Sequence, residues 1–358
     1  MQIGLVGMPS AGKTTLFNLL TGSMQPTGIS GADETHIGSA VVPDPRIDFL
    51  SSLYKPKKTI YARIDFKDIP GVRMDDSRAR ASRLLDEVRS ADALVQVLRV
   101  FNSAEVEATA GEPTPYRDLT DYGAELILAD IDILEKRIAR LEESPKTGKE
   151  SVEQAELLKR LLAALENEEP LISVELTARD KELLAGQSFL SEKPLFLVVN
   201  IDEDQLRRGD YPDREKITAY TLEKGIPVIE ICALVEMEIG RLQPEERSEF
   251  IEDLGLDDSG LGLLARMTYE SLNLISFFTV GDDEVRAWTV HKGTNARKAA
   301  GKIHSDIERG FIRAEVFHYD PLHQLGSAAK VREAGHFRLE GKDYQVADGD
   351  IINFRFNV

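Results

Sequence analysis

Largely apolar runs alternate with helix-like segments over most of the first 275 residues. Such runs occupy residues 3–6, 93–100, 195–199 and 226–231, and they are short enough for buried strands. Residues 60–67 instead alternate apolar and polar side chains, which predicts a half-buried strand. Strands that alternate with helices indicate an α/β fold with a mostly parallel sheet. Ligands of such sheets bind beyond the carboxyl ends of the strands, so the residues that follow each strand are candidate functional residues.

Two further patterns predict additional parts of the fold. Apolar residues from Ile127 to Leu141 recur at spacings of four and three, and a second seam of this kind runs from Ala155 to Leu165. These seams predict an antiparallel α-helical coiled-coil hairpin, inserted between strands of the α/β domain. From Phe277 onwards, short strands surround one helix and indicate a small α+β domain. We expect a discontinuous first domain at 1–120 and 193–275, the insertion at 121–192 and a C-terminal domain at 276–358.

The composition and charge of the chain argue against several classes of protein. The net charge of −18 argues against broad, non-specific binding of nucleic acid. The sequence contains no run of about 18 apolar residues, so we expect no membrane contact, and no signal peptide is visible. Cys232 is the single cysteine, which excludes an internal disulfide and suits a reducing compartment. We expect a cytoplasmic monomer.

The loop after the first strand carries the clearest chemistry. Residues 7–15 fit G-x-x-x-x-G-K-[ST], and they lie between a predicted strand and a predicted helix. In this context backbone N–H groups and the positive end of the helix dipole surround the oxygens of a polyphosphate. Lys13 would reach the β- and γ-phosphates, and the Thr14 hydroxyl would ligate Mg²⁺. The candidate phosphate-binding residues are Pro9, Ser10, Ala11, Gly12, Lys13, Thr14 and Thr15.

A second motif follows the alternating strand. Asp68-Ile69-Pro70-Gly71 places a carboxylate at the end of that strand and a glycine three residues later. After a P-loop, such an aspartate can face Mg²⁺ through water, and the Gly71 N–H can face the γ-phosphate. Taken alone, this pattern is equally typical of an ordinary turn. We predict that Asp68 belongs to a Mg²⁺ site and that Lys13 and Gly71 act on the transferred phosphoryl group.

The ordered motifs resemble those of a known family. Four motifs occur in the order found in translation-factor-type GTPase domains. They are the P-loop, D-x-x-G, Asn200-Ile201-Asp202-Glu203 and Cys232-Ala233-Leu234. With Val42-Pro43-Asp44-Pro45-Arg46 and the C-terminal run 349–358, the whole chain resembles the YchF / Obg-like ATPase subfamily of the Obg-type P-loop GTPases. This resemblance implies a G-domain with a coiled-coil insertion and a C-terminal β-grasp domain of the TGS type. It also implies ribosome or RNA association, Mg²⁺ as cofactor and nucleotide contacts from Asn200, Ile201, Glu203, Cys232, Ala233 and Leu234.

The resemblance implies a preference for ATP, for which the residues offer a physical reason. GTPases usually carry N-K-x-D, whose aspartate accepts hydrogen bonds from N1–H and N2–H₂ of guanine. Here Glu203 takes the place of that aspartate and Ile201 that of the lysine. Loss of these two charge-assisted hydrogen bonds weakens the binding of guanine by about 1.5–3 kcal/mol per hydrogen bond. Adenine lacks those donors, so ATP becomes competitive.

Several positions depart from the family pattern. The threonine that contacts Mg²⁺ in the first switch would fall on Ala32, and Thr35 is a nearby substitute out of register. Val72, by contrast, is similar to the Obg group, which has a hydrophobic residue where Ras-like enzymes place a water-orienting glutamine, and it predicts slow intrinsic hydrolysis. Residues 73–80 replace a glycine-rich second switch, and Ala108 takes the place of a histidine. The chain is therefore expected to be a divergent member of the family.

Three functions remain open from the sequence. The first is a Mg²⁺-dependent NTPase that prefers ATP and is associated with the ribosome. The second is a nucleotide-responsive binding scaffold with negligible turnover, which the altered switch segments favour. The third is a GTPase.

Overall fold

The computed structural model describes residues 1–27, 34–71, 78–143, 148–254 and 259–357. Several expectations fall outside these ranges. They concern Ala32, Val72, residues 73–77 and the polar turn at 144–147 between the two long helices. Within the described ranges, no helix combines the length and the apolar character needed to cross a membrane.

The described residues form twelve strands and sixteen α-helices, with one short 3₁₀ helix at Leu171–Ser173. The strands are β1 Gln2–Val6, β2 His36–Val41, β3 Lys58–Ile60, β4 Arg63–Asp68, β5 Ala93–Arg99, β6 Leu195–Asn200, β7 Val228–Ile231, β8 Leu274–Val280, β9 Glu284–His291, β10 Phe311–His318, β11 Arg338–Glu340 and β12 Asp350–Phe356. The helices are α1 Lys13–Thr21, α2 Pro45–Tyr54, α3 Arg78–Arg89, α4 Ala104–Ala110, α5 Pro115–Glu143, α6 Lys149–Glu166, α7 Ala178–Leu183, α8 Glu203–Arg208, α9 Arg214–Lys224, α10 Ala233–Arg241, α11 Pro244–Asp253, α12 Gly260–Ser271, α13 Ala296–Ile303, α14 Ser305–Arg309, α15 Tyr319–Leu325 and α16 Ala328–Glu333.

The first sheet carries the predicted motifs. Its strand order is β2-β4-β1-β5-β6-β7, and the pairs β4–β1, β1–β5, β5–β6 and β6–β7 are parallel. Every residue of β5 is buried, as the apolar run predicted, because helices cover a parallel sheet on both faces. The carboxyl ends of β1, β4, β6 and β7 therefore lie along one edge of the sheet. This arrangement confirms the expected P-loop α/β fold and brings the four motifs to the same edge.

The two long helices also form. α5 and α6 share one apolar cluster that includes Leu134, Ile138, Leu158, Leu161 and Leu165, and each of these side chains is at least 92% buried. α5 begins at Pro115, six residues before the expected start, since proline is well suited to the first turn of a helix. The segment before it contains the short helix α4, whose N-cap is Ser103.

The alternating segment at 60–67 is not one strand. It is divided into β3, which pairs with β9 in the second sheet, and β4, which pairs with β1 in the first. Tyr61 and Ala62 lie between the two strands, and Val42 N–H donates to the Ala62 carbonyl oxygen at 3.0 Å. A pattern of period two records which side chains are buried, but it does not record which neighbouring strand each residue pairs with.

The chain forms two compact units. One comprises Met1–Gly38 with Asp65–Leu261, and the other comprises Ser39–Ile64 with the chain from Gly262 onwards. The sequence division had placed residues 39–64 in the first domain. In the structure Arg46 binds Asp44 at 2.8 Å and Asp348 at 2.6 Å, so a segment near the N-terminus belongs to the C-terminal unit.

The second sheet lies in this C-terminal unit and has the order β11-β10-β12-β8-β9-β3. Antiparallel pairs predominate, while β12–β8 and β3–β9 are parallel. α13 buries Ala296, Ala299 and Ala300 against Phe277 and Val316 of the sheet. Small residues on this helix allow it to lie close to the strands. The small α+β unit predicted from the sequence is therefore present.

Candidate nucleotide site

The loop between β1 and α1 has the backbone shape of a phosphate-binding loop. Gly7, Ser10 and Gly12 have φ angles of 129°, 62° and 98°, so three of its residues adopt positive φ. The first helical hydrogen bond follows at once, because Leu16 N–H donates to the Gly12 carbonyl at 2.9 Å. Loops of this kind turn successive N–H groups towards one concave surface at a helix N-terminus. The geometry supports the predicted contacts of residues 9–15 with an anion.

Lys13 is buried at the base of this loop. Its side chain is 6% exposed, and its ammonium group donates to the carbonyls of Gly7 at 3.0 Å and Met8 at 2.9 Å. Burial lowers the pKa of Lys13 from 10.5 to about 8, although the nearby Asp68 carboxylate opposes that shift. A cation held out of water in this way interacts strongly with a phosphate group that enters the loop.

Thr14 and Asp68 adjoin each other across the site. The Thr14 hydroxyl donates to Oδ2 of Asp68 at 2.7 Å. Asp68 is 4% exposed at the end of β4, and burial raises its pKa, while the Thr14 hydrogen bond and Lys13 act in the opposite direction. Among the described residues, nothing forms a hydrogen bond with its buried Oδ1. An unpartnered carboxylate oxygen beside a hydroxyl is the oxygen environment that Mg²⁺ prefers, so these two residues fit a Mg²⁺ site.

Thr35, the third predicted metal ligand, lies directly before β2. In the described residues no hydrogen bond joins it to Thr14 or Asp68. The next residue, His36, is close enough for its charge to act on Asp68. The structure thus brings His36 near the predicted Mg²⁺ site, and among the described residues Thr35 forms no hydrogen bond with Thr14 or Asp68.

Gly71 lies directly against the phosphate loop. A methyl group at its Cα would come within 2.6 Å of the Pro9 nitrogen and 2.9 Å of the Met8 carbonyl carbon. Real Cβ atoms essentially never approach backbone so closely, so only glycine fits here without movement of the loop. The main chain of Gly71 is therefore beside the loop in which the polyphosphate is expected.

Asn200 joins the base-side motif to the phosphate loop. It is the last residue of β6, is 3% exposed, and donates from Nδ2 to the Ala11 carbonyl at 3.0 Å. A Cβ atom on Gly12 would lie 2.2 Å from the same nitrogen. The predicted purine contact of Asn200 stays a prediction, and in the structure its amide nitrogen supports the phosphate loop.

The residues after Asn200 have different environments. Ile201 is 3% exposed and packs in the apolar cluster beneath α8, α9 and α10, so its side chain is a core residue and not a contact for the base. Glu203 is the first residue of α8, and 41% of its side chain is exposed. Its Oε2 lies 3.2 Å from the Arg207 guanidinium one turn later. Of the two, only Glu203 has a side chain that a nucleotide base can reach.

The loop after β7 lies beside this motif. Cys232 is 4% exposed at the N-cap of α10, and burial raises the pKa of its thiol. The charges of Glu203 and Asp202 both act on Cys232, so the two loops are neighbours. Ala233 begins α10, and Leu234 is 55% exposed, which makes the predicted pair of loops accessible to a ligand.

Two residues at the start of α8 were not among the predicted site residues. The Asp202 carboxylate accepts from the Gln205 N–H at 2.9 Å, and Gln205 Oε1 accepts from the Asp202 N–H at 3.0 Å. This is a reciprocal capping box. An N-cap residue followed three positions later by Glu or Gln is a sequence signal, so the box itself could have been predicted from D-E-D-Q.

The order of the strands, the phosphate loop and the Thr14–Asp68 pair together define a P-loop nucleotide-binding domain of the GTPase class.

Residues 2–136 match the family model described as "50S ribosome-binding GTPase", and residues 274–357 match the YchF-GTPase_C model, described as a protein of unknown function. The chain is 40% identical over 370 residues to "Ribosome-binding ATPase YchF" of Bacillus subtilis, covering all of both chains. It is 38% identical to the protein of that name from Escherichia coli O157:H7, covering 100% of this chain and 99% of that one. The structure of the Schizosaccharomyces pombe YchF GTPase superimposes with a TM-score of 0.88 at 31% identity, over 99% of this chain and 97% of that one. The chain belongs to the YchF family.

Proposed function

We propose that this chain is a Mg²⁺-dependent P-loop NTPase that prefers ATP, hydrolyses its β–γ bond slowly and associates with the ribosome. One observation carries the enzymatic part of this proposal. Lys13, Thr14, Asp68 and Gly71 meet around one phosphate loop, with Asn200 linking that loop to the segment that carries Glu203. The curated relatives named above are ribosome-binding ATPases by name, and their full-length likeness supports the same assignment for this chain.

The phosphate end of the site would act mainly by electrostatics. Lys13 would exchange its hydrogen bonds to the loop carbonyls for oxygens of the β- and γ-phosphates. ATP brings negative charge to this buried ammonium group, so nucleotide binding favours its protonated form. The main chain of Gly71, packed against Pro9, would place an N–H group near the γ-phosphate. These contacts stabilise the charge that develops on the transferred phosphoryl group.

Thr14 and Asp68 would hold the cofactor Mg²⁺. When bound, the ion neutralises charge on the β- and γ-phosphate oxygens. The Thr14 hydroxyl is a direct ligand in this proposal, and Asp68 accepts hydrogen bonds from water in the ion's coordination shell. Thr35 is a weaker third candidate. Because no glutamine stands at position 72, slow intrinsic turnover is expected.

The base end would favour adenine. Glu203 takes the position of the guanine-reading aspartate, and its longer side chain is already engaged by Arg207 at the surface. The longer side chain would reach past the N1 edge to the C6 substituent of the purine, where its carboxylate can accept a hydrogen bond from the adenine amino group; guanine presents its O6 carbonyl there and meets repulsion. Leu234, exposed in the neighbouring loop, offers apolar contact to either purine.

Competition for a bound fluorescent nucleotide tests the base preference. A ribose-labelled ADP would be displaced from the purified protein by Mg·ATP or Mg·GTP in parallel titrations. ATP is expected to displace it at several-fold lower concentration. Since the S. pombe relative is named a GTPase, stronger displacement by GTP is the outcome that would contradict the proposal.

Ribosome association needs a separate measurement. Relatives are named for ribosome binding, and the C-terminal unit, which the sequence likens to a TGS domain, is a candidate contact for ribosomal RNA. Such association would place the chain in the cytoplasm. Co-sedimentation with ribosomes should occur and weaken as salt concentration rises, because phosphate contacts release counterions. Protein that stays in the supernatant at low salt, with and without ATP, would oppose this part of the proposal.

A further inference from the structure

The segment that presents Glu203 is fastened to the segment that follows β5. Val100 N–H and Phe101 N–H both donate to the Asn200 carbonyl, at 3.1 and 3.2 Å. Asn102 N–H donates to Oδ2 of Asp202 at 3.3 Å. The Asn200–Glu203 segment is therefore held on two sides, by the phosphate loop through Asn200 Nδ2 and by residues 100–102.

The buried side chain of Gln205 also connects the Asn200–Glu203 segment to the residues after β5. Its side chain is 2% exposed, and both ends of its amide are used. Oε1 accepts from the Asp202 N–H at 3.0 Å, and Nε2 donates to the Val100 carbonyl at 2.7 Å. A neutral side-chain amide can accept a hydrogen bond from a backbone N–H and donate one to a backbone carbonyl at the same time. Gln205 thus ties the turn before Glu203 to the strand end beside it.

We propose that Gln205 is a positioning residue for base selection, which fixes the Asn200–Glu203 segment so that the Glu203 carboxylate meets the purine base in one place. The inference rests on the proposed function, because it assumes that Glu203 discriminates ATP from GTP. Gln205 does not touch the nucleotide in this account. Gln205 affects the discrimination between ATP and GTP indirectly. The Glu203 carboxylate selects between the two bases only when its position is fixed to within a fraction of an ångström.

Two substitutions loosen the attachment in different ways. Gln205→Glu keeps the shape of the side chain but turns a carboxylate oxygen towards the Val100 carbonyl, where a donor was. Gln205→Met removes both hydrogen bonds with nearly the same volume and adds no charge. Neither change alters Lys13, Thr14 or Asp68, so the phosphate end of the site is retained.

Gln96→Glu is the matched control. Gln96 is 1% exposed in β5, and its Nε2 donates to the Asp118 carbonyl at 3.0 Å, so the substitution also turns a carboxylate towards a backbone carbonyl. It leaves residues 200–205 untouched. Gln96→Glu is expected to lower the melting temperature while the preference between ATP and GTP stays as in the wild type.

The experiment compares three competitors for a ribose-labelled ADP, each with Mg²⁺: ATP, GTP and inorganic tripolyphosphate, which has no base. Both Gln205 variants should lose about fivefold or more of the ATP-over-GTP preference. Their affinity for tripolyphosphate should remain within about twofold of the wild type. This combination is specific to a positioning role, because a general loss of structure weakens all three competitors.

Three results with the variants would overturn the inference. The preference could be unchanged in folded Gln205→Met, all three competitors could weaken by one common factor, or Gln96→Glu could alter the preference as much as Gln205→Glu does. A wild-type protein that shows no preference for ATP would overturn the proposed base selection together with this inference. A wild-type preference that survives in both Gln205 variants would overturn the inference alone.

Discussion

The amide nitrogen of Asn200 donates a hydrogen bond to the carbonyl oxygen of Ala11 at 3.0 Å. The two residues are 189 positions apart, and each belongs to a different predicted motif. The bond joins the loop expected to bind phosphate to the segment expected to bind the base. Breaking this bond should therefore affect the binding of the whole nucleotide.

Gly12→Ala is expected to lower nucleotide affinity more than tenfold. The added methyl group would lie 2.2 Å from Asn200 Nδ2, and φ of 98° is strained for alanine. Gly22→Ala is a matched control, because Gly22 also has positive φ (68°) but would meet nothing within 4 Å. Titration with a fluorescent nucleotide measures the difference. Adding Asn200→Ala to Gly12→Ala should cost less than the two separate effects together, and strict additivity would refute the contact.

Asp68→Asn should remove most of the benefit of Mg²⁺ for nucleotide binding. Wild-type affinity for ATP is expected to rise on adding Mg²⁺, and the variant should lose about 10–100-fold of that gain. The exposed Asp283→Asn serves as control. An unchanged response to Mg²⁺ in Asp68→Asn would place the ion elsewhere.

Lys13 should make the stability of the nucleotide-free protein depend on pH. Its pKa is about 8 when folded and 10.5 when unfolded, so the unfolded chain binds more protons between these values. The free energy of unfolding therefore rises with pH in this window, and the difference in pKa corresponds to at most about 3 kcal/mol. Below pH 8 the full cost of burying the charged group is present.

Urea unfolding at about pH 7.5, 8.5 and 9.5, which starts just below the folded-state pKa of about 8 and stays below the unfolded-state pKa of 10.5, tests this dependence. The free energy of unfolding of the wild type, minus that of Lys13→Met, should increase by about 1–2 kcal/mol over the range. Lys159→Met, which removes an exposed lysine, is the control and should leave the wild-type slope intact. Parallel curves for the wild type and Lys13→Met would mean that Lys13 is not buried in solution.

Much of the fold could be predicted because its signals are local. The apolar runs of β1, β5 and β6 and the glycine pattern of the phosphate loop each lie within about ten residues. The division of 60–67 between two sheets could not be predicted in the same way. Nor could the placement of residues 39–64, because it involves distant partners such as Arg46 and Asp348, 302 positions apart, and the pairing of β3 with β9.

The candidate site shows the same limit. The motif spacing predicts Lys13, Thr14, Asp68 and Gly71 as site residues, since phosphate chemistry requires these residue types in this order. The support of Ala11 by Asn200 and the attachment of Gln205 to Val100 were not identified. In both hydrogen bonds a side-chain amide donates to a backbone carbonyl more than 100 positions away. Since every residue type has a backbone carbonyl, the sequence does not indicate which carbonyl is the partner. Ile201 was counted as a nucleotide contact by its place in the motif, whereas its apolar side chain is stabilised by burial in the core.

Glu203→Asp should shift the preference towards GTP. A shorter carboxylate restores the length of side chain that commonly accepts both hydrogen bonds of guanine, so the ATP-over-GTP ratio should fall by about tenfold or more. The neighbouring Asp204→Asn removes a carboxylate that is 80% exposed and should leave the ratio unaltered. Competition titrations with both nucleotides provide the measurement. A constant ratio in Glu203→Asp would show that base selection lies in other residues.

Multiple-turnover release of phosphate from Mg·ATP tests the central claim most directly. Purified wild-type protein should release many equivalents of phosphate per chain, slowly, and Lys13→Ala should reduce the rate at least about tenfold because it removes the cation that meets the β- and γ-phosphates. Folding of the variant is checked by its melting temperature. A rate that is the same in Lys13→Ala, or release that stops after one equivalent, would contradict the assignment of this chain as an ATP-hydrolysing enzyme.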